Sequence, residues 1–119
     1  MTFERLTPDA ALSQLDGPQP VWIFKHSLTC SISARALTEV DAFAGRNPGV
    51  RVVLIAVQRE RALSRAVAER FGVPHASPQV ILVVDGVAVW TASHFGVSMK
   101  ALEQSLARLD GLSPSRRPA

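Results

Sequence analysis

The 119-residue chain has a single cysteine, only 6% aromatic residues and a charged fraction of 19%. One cysteine excludes a disulfide scaffold, which needs pairs, so any disulfide this protein forms is with another molecule. No apolar run approaches the roughly 20 residues of a membrane-spanning helix. The opening Met1-Thr2-Phe3-Glu4-Arg5 lacks the apolar stretch of a secretory signal, so the expected location is cytoplasmic, with no membrane partner. The 13 basic residues are spread among 10 acidic ones for a net charge of +3, and no RNA-binding aromatic motif accompanies them. A nucleic-acid partner is therefore not expected, and the small basic excess favours anionic small ligands or partners. There are no internal repeats. The three histidines and one cysteine are too scattered for a zinc site, so no metal is expected.

The chain does carry a regular alternation of elements. Thr7-Pro8-Asp9 has a helix-start pattern of cap hydroxyl, proline and acid, predicting a helix to about Leu15 that stops at Asp16-Gly17-Pro18. Val21-Trp22-Ile23-Phe24 is a short apolar run expected of a strand buried on both faces. From Cys30 to Ala44 the residues Ile32, Ala36, Leu37, Val40 and Phe43 recur at helical spacing, and Gly45 and Asn47-Pro48-Gly49 are expected to end that helix. Val50 to Val57 is rich in β-branched residues and predicts the next strand. Leu63, Ala66, Val67 and Phe71 mark a second amphipathic helix, stopped by Gly72. Val80 to Val84 reads as a buried strand, Asp85-Gly86 as a tight hairpin turn and Val87 to Trp90 as the returning strand. Ser98 caps a last helix with Met99, Leu102, Leu106 and Leu109 on one face, closed by Gly111. Residues 1–112 are thus expected to form one α/β domain, with 113–119 a flexible C-terminal tail. Two crossover units followed by a hairpin and a covering helix predict a thioredoxin-like fold, a central mixed sheet of about four strands flanked by helices, an outline a generic α/β sandwich shares.

The segment with chemistry in it is Phe24 to Ser33. A strand ends, a loop follows, and Cys30 arrives as a helix begins. Helix N-terminal amides carry partial positive charge and favour thiolate over thiol, lowering a pKa of about 8.5 to anywhere from about 3.5 to 7.5. Lys25, His26 and Arg35 are candidates to add positive potential. Cys30-Ser31-Ile32-Ser33 places a hydroxyl where dithiol oxidoreductases carry their second cysteine, so a disulfide formed at Cys30 cannot be resolved within the chain. Read locally, a buried inert cysteine is as good an account of Cys30. Pro78, in Ser77-Pro78-Gln79, stands directly before a strand, where thioredoxin-like folds place a cis-proline loop against the active cysteine; a trans proline at a strand start explains it equally well.

Lys25-His26-Ser27-x-Thr29-Cys30-x-Ile32-Ser33, His75-x-Ser77-Pro78-Gln79-Val80-Ile81-Leu82 and Trp90-x-Ala92-Ser93-His94 together resemble the YtxJ-like family of the bacillithiol system, the monothiol bacilliredoxins. One departure is visible: the family usually reads Thr-Cys-Pro-Ile-Ser, and Ser31 stands here in place of the proline. The resemblance implies a monothiol oxidoreductase that removes bacillithiol, an anionic sugar-malate thiol, from client proteins held as mixed disulfides. Cys30 would be the nucleophile, Thr29, Ser31, Ile32 and Ser33 its motif, and Ser77, Pro78 and Gln79 the thiol-binding loop. Bacillithiol would be co-substrate, with no tightly bound cofactor. Lys25, His26, His94, Gly96 and Ser98 are possible contacts for the small thiol, the last through free amides at the start of the final helix. Two other readings stand beside this one: an iron–sulfur carrier like the monothiol glutaredoxins, whose Cys-Gly-Phe-Ser differs from Cys30-Ser31-Ile32-Ser33, and a non-catalytic thioredoxin-like binding module.

Overall fold

The computed structural model describes residues 3–6 and 12–110. Four strands form one sheet in the order β2-β1-β3-β4: β1 (Val21–His26), β2 (Arg51–Ala56), β3 (Gln79–Val84) and β4 (Val87–Ser93). β1 pairs parallel to β2 and antiparallel to β3, and β3 pairs antiparallel to β4. The helices are α1 (Ser31–Arg46), α2 (Arg61–Phe71) and α3 (Met99–Asp110), with short 3-10 turns at Ser13–Leu15 and His94–Gly96. This is the expected mixed sheet with helices on both faces.

The period-2 alternation of strand side chains divides the core. Trp22, Phe24, Val80 and Leu82 pack with Ala36, Val40 and Phe43 of α1 and Leu102 of α3. Val21, Ile23, Val53, Ile55, Ile81 and Val83 pack with Val67 of α2 on the opposite face. β1 and β3 are covered on both sides and are buried throughout, whereas edge strand β4 alternates between exposed and half-buried residues. Trp22 keeps its indole N–H satisfied by donating to the buried Ser105 hydroxyl at 3.0 Å. On the outer edge of β2, Glu4 bridges to the strand in parallel fashion, and its carboxylate takes both arms of Arg51 at 2.7 Å. At the hairpin, Asp85 (φ 55°) and Gly86 (φ 78°) both lie in the left-handed region, as a two-residue turn between twisted strands demands.

Several boundaries differ from the sequence reading. β1 runs on through Lys25 and His26, because both polar side chains find buried partners. α1 passes through Gly45 and stops only where the Asn47 side chain donates to the Phe43 carbonyl at 2.9 Å, ahead of Pro48. β4 extends past Trp90 to Ser93. Of the N-terminal helix, Ser13–Leu15 is a 3-10 turn, and the Thr7-Pro8-Asp9 start lies outside the described residues. The expected closure at Gly111 and the tail 113–119 also lie outside them.

Candidate active site

Cys30 is the N-cap residue of α1, with extended backbone (φ −105°, ψ 128°), and it is half-buried. Its carbonyl already accepts the Ala34 N–H at 3.0 Å, but its side chain makes no capping hydrogen bond. The sulfur therefore sits at the positive end of a 16-residue helix without being consumed by it.

The loop before Cys30 is fixed from two directions. Ser33, fully buried in the first turn of α1, accepts the Ser27 N–H at 2.8 Å and lies 3.0 Å from His26 Nδ1. Burial holds the His26 imidazole below its usual pKa, opposed by a hydrogen bond to the Ser33 backbone. Ser33 is thus a staple between the loop and the helix, and its hydroxyl is turned to Ser27 and His26. From the other side, Gln58 after β2 donates to Ser27 Oγ at 2.8 Å and Thr29 Oγ1 at 3.3 Å, and accepts the Leu28 N–H at 3.0 Å. Sequence reading passed over Gln58; its signal was a polar residue just beyond the C-terminal end of a buried strand next to the one leading to Cys30, the crevice where open α/β sheets bind ligands.

Strand register collects the remaining candidates at the same end of the sheet. Lys25 pairs with Gln79, so Pro78 lies beside the exit of β1. The Ser77–Pro78 peptide bond is cis, and the Pro78 carbonyl accepts the His94 N–H at 2.9 Å. His94 takes a left-handed conformation (φ 54°) to open the turn His94–Gly96, and the exposed Phe95 in that turn stacks with Arg35 of α1 at 5.6 Å. His94 and Gly96 are exposed, as are Thr29 and Ser31, while Ile32 is half-buried. Ser77 Oγ and Gln79 Oε1 are buried without a hydrogen-bond partner.

Two of the expected small-thiol contacts are placed otherwise. Lys25 is fully buried on the α2 face, donating to the Ser64 carbonyl at 2.9 Å and lying 3.4 Å from His75 Nδ1, so it presents no donor at the surface. Burial pushes its pKa down, and it pushes down that of His75, with the Lys25 charge as the second cause. At Ser98 two of the expected free amides are taken. The Glu39 carboxylate accepts the Met99 N–H at 3.1 Å, and Ser98 Oγ accepts the Ala101 N–H at 3.1 Å. An internal carboxylate fills the place foreseen for an external one. Among the described residues no cluster of three or more His, Cys, Asp or Glu could hold a metal ion, and no helix is long and apolar enough to cross a membrane.

Comparison with known proteins identifies the family and the fold. The sequence profile of the family described as "Monothiol bacilliredoxin BrxC" matches residues 6–102. A solved structure described as "A putative oxidoreductase with a thioredoxin fold" superposes with a TM-score of 0.78 at 31% identity, over 86% of this chain and 91% of that one. Fasciola hepatica thioredoxin superposes at 0.72 with 19% identity, over 89% of this chain and 98% of its own. Chlamydomonas reinhardtii thioredoxin f2 reaches 0.72 at 16% identity, over 94% and 100%. The two thioredoxins share the fold.

Proposed function

The chain belongs to the monothiol bacilliredoxin family, and we propose that it removes bacillithiol from cytoplasmic client proteins held as mixed disulfides, with Cys30 as nucleophile. The observation that carries this reading is the position of its single cysteine, half-exposed at the N-cap of α1 with its sulfur outside the helix's own hydrogen bonds.

The Cys30 thiolate attacks the bacillithiol sulfur of the mixed disulfide. A Cys30–bacillithiol bond forms, the client's sulfur–sulfur bond breaks, and the client leaves as a thiolate that takes up a proton. No net electrons are exchanged in this step; the disulfide moves to Cys30. With Ser33 in the resolving position and turned to Ser27 and His26, the cap stays until a second thiol from solution or a partner attacks its sulfur and frees Cys30. Rigid support of the Thr29–Cys30 loop by Gln58 and Ser33 keeps the attacking sulfur in place through both exchanges. The Ser77-Pro78-Gln79 segment and the His94–Gly96 turn, joined by the His94 N–H to Pro78 carbonyl bond, form the wall along which the mixed disulfide lies.

Matched peptides capped with bacillithiol and with glutathione test this, offered to the wild type and to Cys30→Ala. Release of the peptide thiol, with its cap transferred to Cys30, is expected from the wild type alone. Equal release by both proteins sinks the nucleophile, and preference for the glutathione cap sinks the bacillithiol assignment.

A further inference from the structure

An open pocket of about 360 Å³ lies between α2 and the residues that lead into β3. Its lining includes Gln58, Arg61, Ser64, Arg65 and His75. Arg61 and Arg65 are one helical turn apart and share a side of α2, and both are exposed. Immediately behind the wall, the buried Lys25 ammonium contacts Ser64 and His75, both of which line the pocket. Among the described residues, no carboxylate forms an ion pair with Lys25, Arg61 or Arg65. Glu60, at the start of α2, is turned instead to Arg5 at 2.7 Å and to the Ala56 N–H at 3.0 Å. Three cations are thus gathered with no counter-charge, one of them out of water, an arrangement a bound anion relieves.

One lining residue links the pocket to the loop that carries the nucleophile. Gln58 forms part of its lining and, through its side-chain amide, donates to Thr29, the neighbour of Cys30. On the opposite flank, the start of α3 is already filled by Glu39.

We propose that this pocket binds the carboxylates of the small-thiol cap while the cap's sulfur is joined to Cys30. Two guanidinium groups on one helix face suit a dicarboxylate of malate size, each fork taking one carboxylate. The inference rests on the thiol-exchange reading above and adds which part of the molecule recognises the cap.

The test uses the full chain and a double variant, Arg61→Gln with Arg65→Gln, both changes at exposed positions. L-malate titrated into isotopically labelled protein is expected to shift the amides of Gln58, Ser64 and His75 saturably. The double variant is expected to weaken that binding at least about tenfold. Equal affinity in the variant, or shifts centred on Ser98 to Ala101, would overturn the pocket. In exchange kinetics, the variant is expected to raise KM about tenfold for a bacillithiol-capped peptide, with kcat and the KM for the same peptide capped with 2-mercaptoethanol unchanged. A KM that instead follows acidic residues in the peptide, whatever the cap, would overturn the cap as occupant in favour of the client. Absence of exchange by the wild type with every capped peptide would sink the thiol-exchange reading and the cap with it. The malate titration decides the pocket's anion binding independently of that outcome.

Discussion

Two helices begin on either flank of the Cys30 loop, and they treat negative charge in opposite ways. At α3, Glu39 and the Ser98 hydroxyl satisfy the Met99 and Ala101 amides from within the chain. At α2, the first turn has no acidic residue and Glu60 makes no side-chain cap, while Arg61, Arg65 and the buried Lys25 accumulate positive charge around Ser64 and His75. A helix start is electropositive in either case. Whether it is available to a ligand depends on whether the fold has already supplied the anion.

The contrast can be broken from the α2 side first. Lys25→Met keeps the length of the side chain and removes an ammonium whose pKa burial lowers, so the folded state of the wild type is penalised wherever the free lysine is charged, below about pH 10.5. The variant is expected to be more stable at pH 7 by on the order of 1 kcal/mol in urea unfolding, while binding malate more weakly. A loss of stability would show that the Ser64 hydrogen bond outweighs the burial cost. Glu39→Gln acts on the other flank. Removing the charge from the start of α3 is expected to cost about 0.5–1 kcal/mol. It should also give malate a second, weaker site there, visible as new shifts at Met99 and Lys100; an unchanged titration would mean that Glu39 does not guard that helix start.

The smallest effect is the dependence on pH. His26 and His75 both have folded-state pKa values below the ordinary 6.5, burial being the leading cause for each. The unfolded chain therefore takes up protons first as pH falls. Their contribution to stability is whole above about pH 6.5 and is lost progressively below it, through the lower folded values. His26→Gln is expected to flatten urea stability measured between pH 7 and pH 5. If the slope is unchanged, His26 is not the group whose burial matters.

Much of this molecule was legible in its sequence. Apolar residues at helical and strand spacing located α1, β2, α2, β3 and α3, and Asp85-Gly86 located the hairpin, because those signals depend only on which side chains share a face. Cys30 at a helix start was readable for the same reason. The reading faltered where polar residues are buried. Lys25 and His26 read as polar residues beyond a strand ending at Phe24, yet β1 carries them inward because Ser64, thirty-nine positions on from Lys25, and Ser33 supply partners. Ser98 looked like an open helix start because Glu39, in a different helix, carries no local sign that it reaches the Met99 amide.

By itself, then, the sequence determined the order of elements, the position of the lone cysteine and, through its motifs, the family. Those follow from local periodicity and from residues near one another in the chain. Only the tertiary structure decided how the hydrogen bonds and charges around Cys30 are distributed: Ser33 and Gln58 fixing the loop, Glu39 closing one flank and uncompensated cations opening the other. The physical reason is that a buried polar group is settled by whichever partner the fold brings within about 3 Å, however distant in sequence.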